Sequence, residues 1–350
     1  MEKIKFLFDK KHKVQTLTYL GVIIAIIVVQ VLLNANVLSS LIKNLLVPVC
    51  CFIVASLALN LCVGLSGELS LGHAGFMSIG AFSAIIFSSL TEATISNETI
   101  RLILSLIVAA LVAAFFGFLI GIPVLKLEGD YLAIVTLAFC QIIVSLVQNV
   151  YLGFDANGIQ FSFIENKLDL AEGGKTILGG PIGATGVTRI STFLAGGILI
   201  LVTLFIIFNL MNSKNGRAIM ACRDNKIAAS TVGIDVTNTK MLAFVISAAI
   251  AGSAGALFGL NFSTMAASSF TFNQSILMLV YVVLGGLGNI SGTIISTILL
   301  YSLPELLRSL ADYRMIIYSL ILIIVMIVKN NDKISAKLSA LKKKLKKEGK

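Results

Sequence analysis

The residues able to take part in chemistry fall in three places. One is Gly173-Gly174-Lys175-Thr176, which ends like a phosphate-binding loop. Such a loop needs GxxxxGK[ST] between a buried strand and a helix, so that backbone amides and the lysine wrap the phosphates. Here the position of the first glycine holds Asp169, and no buried strand precedes it. The sequence therefore offers no nucleotide site of its own. Nor does it offer a nucleophile–base pair or paired carboxylates that would mark a catalytic cleft, so no catalytic residue, metal site or cofactor is expected in this chain.

A second place is the run Gly64-Leu65-Ser66-Gly67-Glu68-Leu69-Ser70-Leu71-Gly72-His73-Ala74-Gly75, with a counterpart at Gly285-Gly286-Leu287-Gly288. Glycine and serine at this density lower helix propensity inside apolar stretches. Two readings stay open: a broken helix beside a path, and close helix packing through small residues. Glu68 and His73 lean toward the first, since an ionisable group costs roughly 2.5–3.5 kcal/mol at the centre of a bilayer and tends to mark function. Gly64, Gly67, Ser70, Gly72, His73, Gly75, Gly285, Gly286 and Gly288 are the candidate lining of a translocation path. Paired breaks in two halves of a chain are what a central site between internal repeats produces.

The third place is Lys214–Asp235. It reads as a short amphipathic helix opened by Asn215-Gly216 and stopped by Gly233, with polar residues and alanines suited to docking in a groove of another protein.

The elements that must hold these residues follow from composition. Of 350 residues 57% are hydrophobic and 13% charged, against about a quarter charged in a soluble domain. A crossing takes roughly 20 apolar residues. The charge-free stretches then divide into about ten spans, near 17–38, 44–64, 70–90, 102–122, 131–152, 191–211, 241–262, 275–288, 290–307 and 312–328. The eighth is short and reads as broken or re-entrant. The first apolar run is too long for a signal-peptide core and ends without a clear cleavage site, so it is taken as a retained span. Five cysteines lack ligand spacing and read as small packing residues.

Charge fixes sidedness. Lysines 3, 5, 10, 11 and 13, the cations of 211–240, and nine lysines after Val328 all belong in the cytoplasm by the positive-inside rule. The acid-bearing segments Thr91–Arg101 and Asp155–Arg189 face outward. An even number of spans satisfies every segment. The net charge of +10 is thus a topology signal rather than a nucleic-acid footprint. The fold class is an all-α, polytopic transmembrane bundle with both termini cytoplasmic. Residues 1–328 form the membrane domain, with the cytoplasmic loop near 211–240, and 329–350 form a lysine-rich tail against anionic headgroups.

Four separated blocks then carry a resemblance: SLGHAGFMSIGAF (70–82), GDYLAIVTLAF (129–139), GRAIMACRDNKIAASTVGIDVTNTKMLAFVISAAIAGSAGALFG (216–259) and VVLGGLGNISG (282–292). Together they resemble the branched-chain amino acid ABC transporter permeases across 53–328. The resemblance implies that 216–234 is the Glu-Ala-Ala-type loop that sits on an ATPase. Its matching positions are Gly216, Arg217, Arg223, Ala228, Ala229 and Gly233, with Asp224 beside them, and Ser230 stands where relatives often carry an acid. It implies ABC ATPase subunits that use ATP and magnesium, a second homologous permease subunit and an extracytoplasmic solute-binding protein. The setting is the bacterial cytoplasmic membrane and the cargo leucine, isoleucine or valine. Relatives with this pattern also carry urea or short amides. An ion-coupled secondary transporter is the remaining alternative, disfavoured because Met241–Pro304 runs without a charge.

Overall fold

The computed structural model describes residues 10–127, 129–155, 158–164 and 174–307, and isolated positions between 313 and 323. The lysine-rich tail lies outside the described residues, as does most of the expected tenth span. Among those described, eight helices are long and apolar enough to cross a membrane, and a ninth is shorter. In chain order the long ones are α1 (Lys10–Asn34), α2 (Ser40–Asn60), α3 (His73–Leu90), α4 (Glu98–Val124), α5 (Asp130–Gln148), α6 (Phe193–Asn212), α9 (Val236–Gly259) and α10 (Phe272–Gly285). The ninth is α11 (Ile290–Leu306), shorter than the 19-residue run Ala267–Gly285 that α10 makes with the 3-10 turn before it, and two polar helices, α7 (Lys214–Asp224) and α8 (Lys226–Thr231), lie between α6 and α9. A π-helical turn, Leu61–Leu65, ends α2.

The bundle is built around α9, whose buried residues include many small ones: Ser247, Ala248, Ala251, Gly252, Ala254, Gly255, Ala256 and Gly259. In lipid no hydrophobic force drives apolar helices together, so close backbone approach and van der Waals contact must do it. A Cβ on Gly80 of α3 would run into the Gly252 carbonyl, one on Gly255 would lie 2.7 Å from Met77 Cα, and one on Gly117 of α4 would lie 2.6 Å from Ala248 Cβ. Helices α3 and α4 therefore seat side by side on α9, both in contact with Gly252. The pattern of α4 is inverted relative to a soluble helix. Its inward stripe is Ser105, Ala109, Ala113, Gly117 and Gly121, while Ile103, Ile107, Leu111, Phe115 and Phe118 are exposed on the outer face of the bundle.

A five-stranded antiparallel sheet, order β2-β1-β3-β4-β5, caps one end. Its strands are β1 (Val150–Asp155), β2 (Gly158–Phe163), β3 (Lys175–Gly179), β4 (Ala184–Thr185) and β5 (Thr264–Met265). The sequence reading carried the fifth span to 152 and left 155–189 as a loop. Instead α5 stops at Gln148, and the β-branched and aromatic residues Val150, Tyr151, Ile159, Phe161 and Phe163 pair as strands. The bundle is thus helical with a small sheet added. Lys175 and Thr176 lie in β3, with Lys175 Nζ 3.6 Å from Glu92 Oε2, and not at a helix N-terminus. Geometry thereby removes the phosphate-loop reading.

Helices α7 and α8 lie at the opposite end, since α6 runs from the sheet into them and α9 returns to β5. The start of α1 falls at that same end, where Asn212 Nδ2 donates to Gln15 Oε1 at 3.4 Å. The short eighth span is broken, as expected. A 3-10 turn, Ala267–Phe270, precedes α10, and the two together run from β5 to Gly288 at the far end.

Gly80→Ala is expected to lower stability by about 1–3 kcal/mol because α3 must move off α9. Gly21→Ala, a site with nothing within 4 Å, should leave it unchanged. Thermal melts in detergent compare the two.

Candidate functional site: the junction of two helix breaks

The two glycine-rich segments meet. Helix α2 unwinds through Leu61–Leu65, and α3 starts only at His73, so the chain between lacks a continuous i→i−4 ladder. On the other side Gly286 (φ +103°) and Gly288 (φ +76°) form the turn between α10 and α11, in a backbone region costly for residues with a Cβ. Asn60 joins the two. Its Oδ1 accepts from the Gly288 N–H at 2.8 Å and its Nδ2 donates to Thr293 Oγ1 of α11 at 2.9 Å. Backbone touches backbone here: a Cβ on Gly64 would lie 2.9 Å from Gly288 Cα, and one on Gly285 would lie 2.5 Å from Thr293 Cα.

Buried irregular backbone must be bonded by protein where water is absent. The break meets that demand through nearly every neighbouring element. The Ser66 and Glu68 N–H groups donate back to Leu61 O and Cys62 O, each at 3.2 Å. The Leu71 N–H donates to Thr136 Oγ1 of α5 (3.0 Å), the Gly72 N–H to Ser70 Oγ (3.4 Å) and the Ala74 N–H to Ser275 Oγ of α10 (3.1 Å). His73 is fully buried, with Nδ1 3.2 Å from Ser70 Oγ and Nε2 2.6 Å from Ser247 Oγ of α9. Since Ser247 gives its hydroxyl proton to Ala58 O at 2.6 Å, its oxygen receives one from His73 Nε2–H, which leaves Nδ1 to accept from Ser70. This chain ties α3, α9 and α2 together.

Glu68 is buried and forms an ion pair with Lys240, itself 4% exposed, in the second turn of α9. Neither charge would be tolerable alone. At the surface beside them, Arg223 of α7 donates from Nη1 to Gly64 O (3.0 Å) and from Nε and Nη2 to Asp224 Oδ1 (3.0 and 2.8 Å). Its stem lies on Gly67 (φ +76°), where a Cβ would come within 2.7 Å of Arg223 Cγ.

The 214–235 segment, expected as one helix, is two. Asn225 (φ −158°, ψ 107°) is extended, so it closes α7 and N-caps α8 through Oδ1 to the Ala228 N–H at 3.0 Å. Gly216 is buried, and a Cβ there would lie 2.8 Å from Met211 Cα of α6; Arg217 is exposed and donates to Asn212 O at 3.1 Å. Ala229 is buried, Ala228 exposed, and Gly233 (φ +84°) ends α8 as expected. Cys222 lies beneath α7, where burial pushes its thiol up, Lys240 pulls it down and Asp235 raises it. Outward on α8 and just past it stand Ile227 and Val232, 78% and 76% exposed.

Of the candidate lining residues, Gly64, Gly67, Gly286 and Gly288 are brought together at the junction. Gly72, Gly75 and Gly285 serve close packing, Gly72 and Gly75 against Thr136 and Cys140 of α5. A helix break and close helix packing are thus both present, at different glycines. Sequence reasoning missed Asn60, Thr136, Ser247, Ser275, Thr293 and the role of Lys240. Asn60 alone carried a signal, as an amide inside an apolar run.

A bundle of apolar helices with broken, protein-satisfied segments at its centre is that of a polytopic membrane protein. The chain belongs to the branched-chain amino acid transport system permease component family, whose model matches residues 41–328. It is similar to the high-affinity branched-chain amino acid transport system permease protein LivM of Salmonella typhimurium and of Escherichia coli, each 36% identical over 286 residues, which cover 79% of this chain and 66% of theirs. It is also similar to the LivH protein of Escherichia coli, 34% identical over 142 residues, 40% of this chain and 43% of that one. The chain thus spans just under two-thirds of the length of the LivM proteins it matches. No solved structure matches it.

Asn60→Ala should cost about 1–3 kcal/mol, because it strands the part-buried Gly288 N–H and removes the cross-helix donor to Thr293 Oγ1. Ser253→Ala, which removes only a bond to Ile250 O of the same helix, should be near neutral in the same melt.

Proposed function

We propose that this chain is a membrane-spanning permease subunit of an ABC importer in the bacterial cytoplasmic membrane, and that it passes leucine, isoleucine or valine inward. ATP and magnesium are used by an ATPase that docks on α7 and α8. A second homologous permease completes the pathway, and an extracytoplasmic binding protein delivers cargo at the sheet end. In this reading Gly216, Arg217, Arg223, Asp224, Ala228, Ala229 and Gly233 build the coupling element, and the junction of the breaks lies on or beside the path.

The observation that carries the reading is the α7–α8 pair. Its inner face is locked to the bundle by Ile219, Cys222, Ala229 and Arg223, while Ile227 and Val232 stand in the open at the end that collects the positive charge. Two large apolar side chains on a polar helix pair, beyond the apolar belt, fit a groove on another protein. The family match supplies the kind of partner. An ion-coupled transporter finds less support, because the acid of the break, Glu68, is already neutralised by Lys240 of the same chain.

The test is the double substitution Ile227→Glu/Val232→Glu in the co-expressed importer. The permease should insert and melt normally, co-purification of the ATPase should fall by about tenfold or more, and ATP-dependent leucine uptake should be lost. Full recovery of the ATPase with the altered permease would refute the docking assignment. ATP-dependent uptake of urea or a short amide in preference to leucine would replace the cargo while leaving the architecture.

A further inference from the structure

The 214–240 segment holds the α2–α3 break at two points, one on each of its flanks. From α7, Arg223 reaches in to Gly64 O and rests its stem on Gly67. From the start of α9, Lys240 pairs with Glu68. Three residues of the break within five positions are thereby gripped by two cations, and the same stretch touches Gly288 of the second break through backbone and Asn60.

Elementary electrostatics explains why cations are used. The π-turn exposes carbonyls at the negative end of α2, and a cationic side chain is the favoured cap for such carbonyls. Glu68, an acid buried just past that end, is paired with a cation of its own. Between the two grips Ser66 Oγ is buried without a hydrogen-bond partner, so this stretch carries unused bonding capacity, unlike the Ser70–His73–Ser247 chain a few residues on.

We propose that Arg223 and the Lys240–Glu68 pair are a two-point clamp that presses Gly64 against Gly288, and that displacement of α7–α8 is transmitted first to this contact between the breaks. Arg223, Lys240 and Glu68 are positioning residues in this account. Arg223 acts inward on its own chain, and docking falls to Ile227 and Val232. The transport part of the proposal rests on the importer reading above; the clamp itself does not.

Two experiments separate the two. In detergent, without partners, hydrogen exchange of backbone amides 65–71 in Arg223→Gln should rise about tenfold over the parent chain, with amides of α4 unchanged. Equal exchange in the two proteins overturns the clamp whatever the protein transports. In the full importer in proteoliposomes, leucine uptake and ATP hydrolysis are measured in the same sample. Glu68→Lys and Lys240→Glu should each lower uptake per ATP hydrolysed by about tenfold or more, and the swapped pair Glu68→Lys/Lys240→Glu should return it to within about threefold of the parent. If the reversed-charge chains do not accumulate, Glu68→Gln is read by the same ratio. A ratio unaltered in the single variants, or a folded double variant no better than the singles, overturns the transmission. Absence of ATP-dependent uptake by the parent complex, with raised exchange in Arg223→Gln, would overturn the importer reading and leave the clamp in place.

Discussion

A helix interrupted at membrane depth leaves backbone amides and carbonyls that lipid cannot satisfy, and each must find a partner within the protein. Much of the interior here answers that demand. Thr136, Ser70, Ser275 and Arg223 each supply a group to the stretch between Gly64 and Ala74, and Asn60 does the same for Gly288. Because these donors and acceptors come from α2, α5, α7, α10 and the break itself, the irregular segment becomes the place where the elements of the chain are joined. A helix that continued from α2 into α3 would need none of them.

Small residues supply the other half of the design. Helix α9 keeps a face of alanine, serine and glycine so that α3 and α4 approach to backbone contact. Along that same helix Lys240 and Ser247 stand two turns apart, about 10 Å, and both reach the break, one through Glu68 and the other through His73. Helix α9 is therefore both the packing core and a rigid ruler that fixes where the break begins and ends. Its lower end continues directly into the segment offered for docking.

The membrane bundle, most span limits and the two glycine-rich breaks were legible in the sequence because they rest on composition and on runs of one residue class. Charge-free stretches located α2, α4, α6 and α9, and Gly233 marked the end of α8. The sheet was not legible: Val150, Tyr151 and Leu152 continue an apolar run without a period change, and their partners in β3 lie more than twenty residues away. The meeting of Gly64 with Gly288 also depends on tertiary structure. Lys240 read as a loop cation of use only for sidedness, since nothing local ties it to an acid 172 positions earlier. Ser247 and Ser275 are ordinary small residues until His73 and Ala74 are brought to them.

Helix α1 stands apart from this economy. Little of its length is buried; Tyr19 meets Phe208 with tilted rings whose centres are 5.3 Å apart, and the family match begins only at residue 41. Shape complementarity hardly constrains such a helix, so its residues answer chiefly to solubility in hydrocarbon. Sequence drift there is cheap, and kinship among these proteins is better judged from the helices that follow.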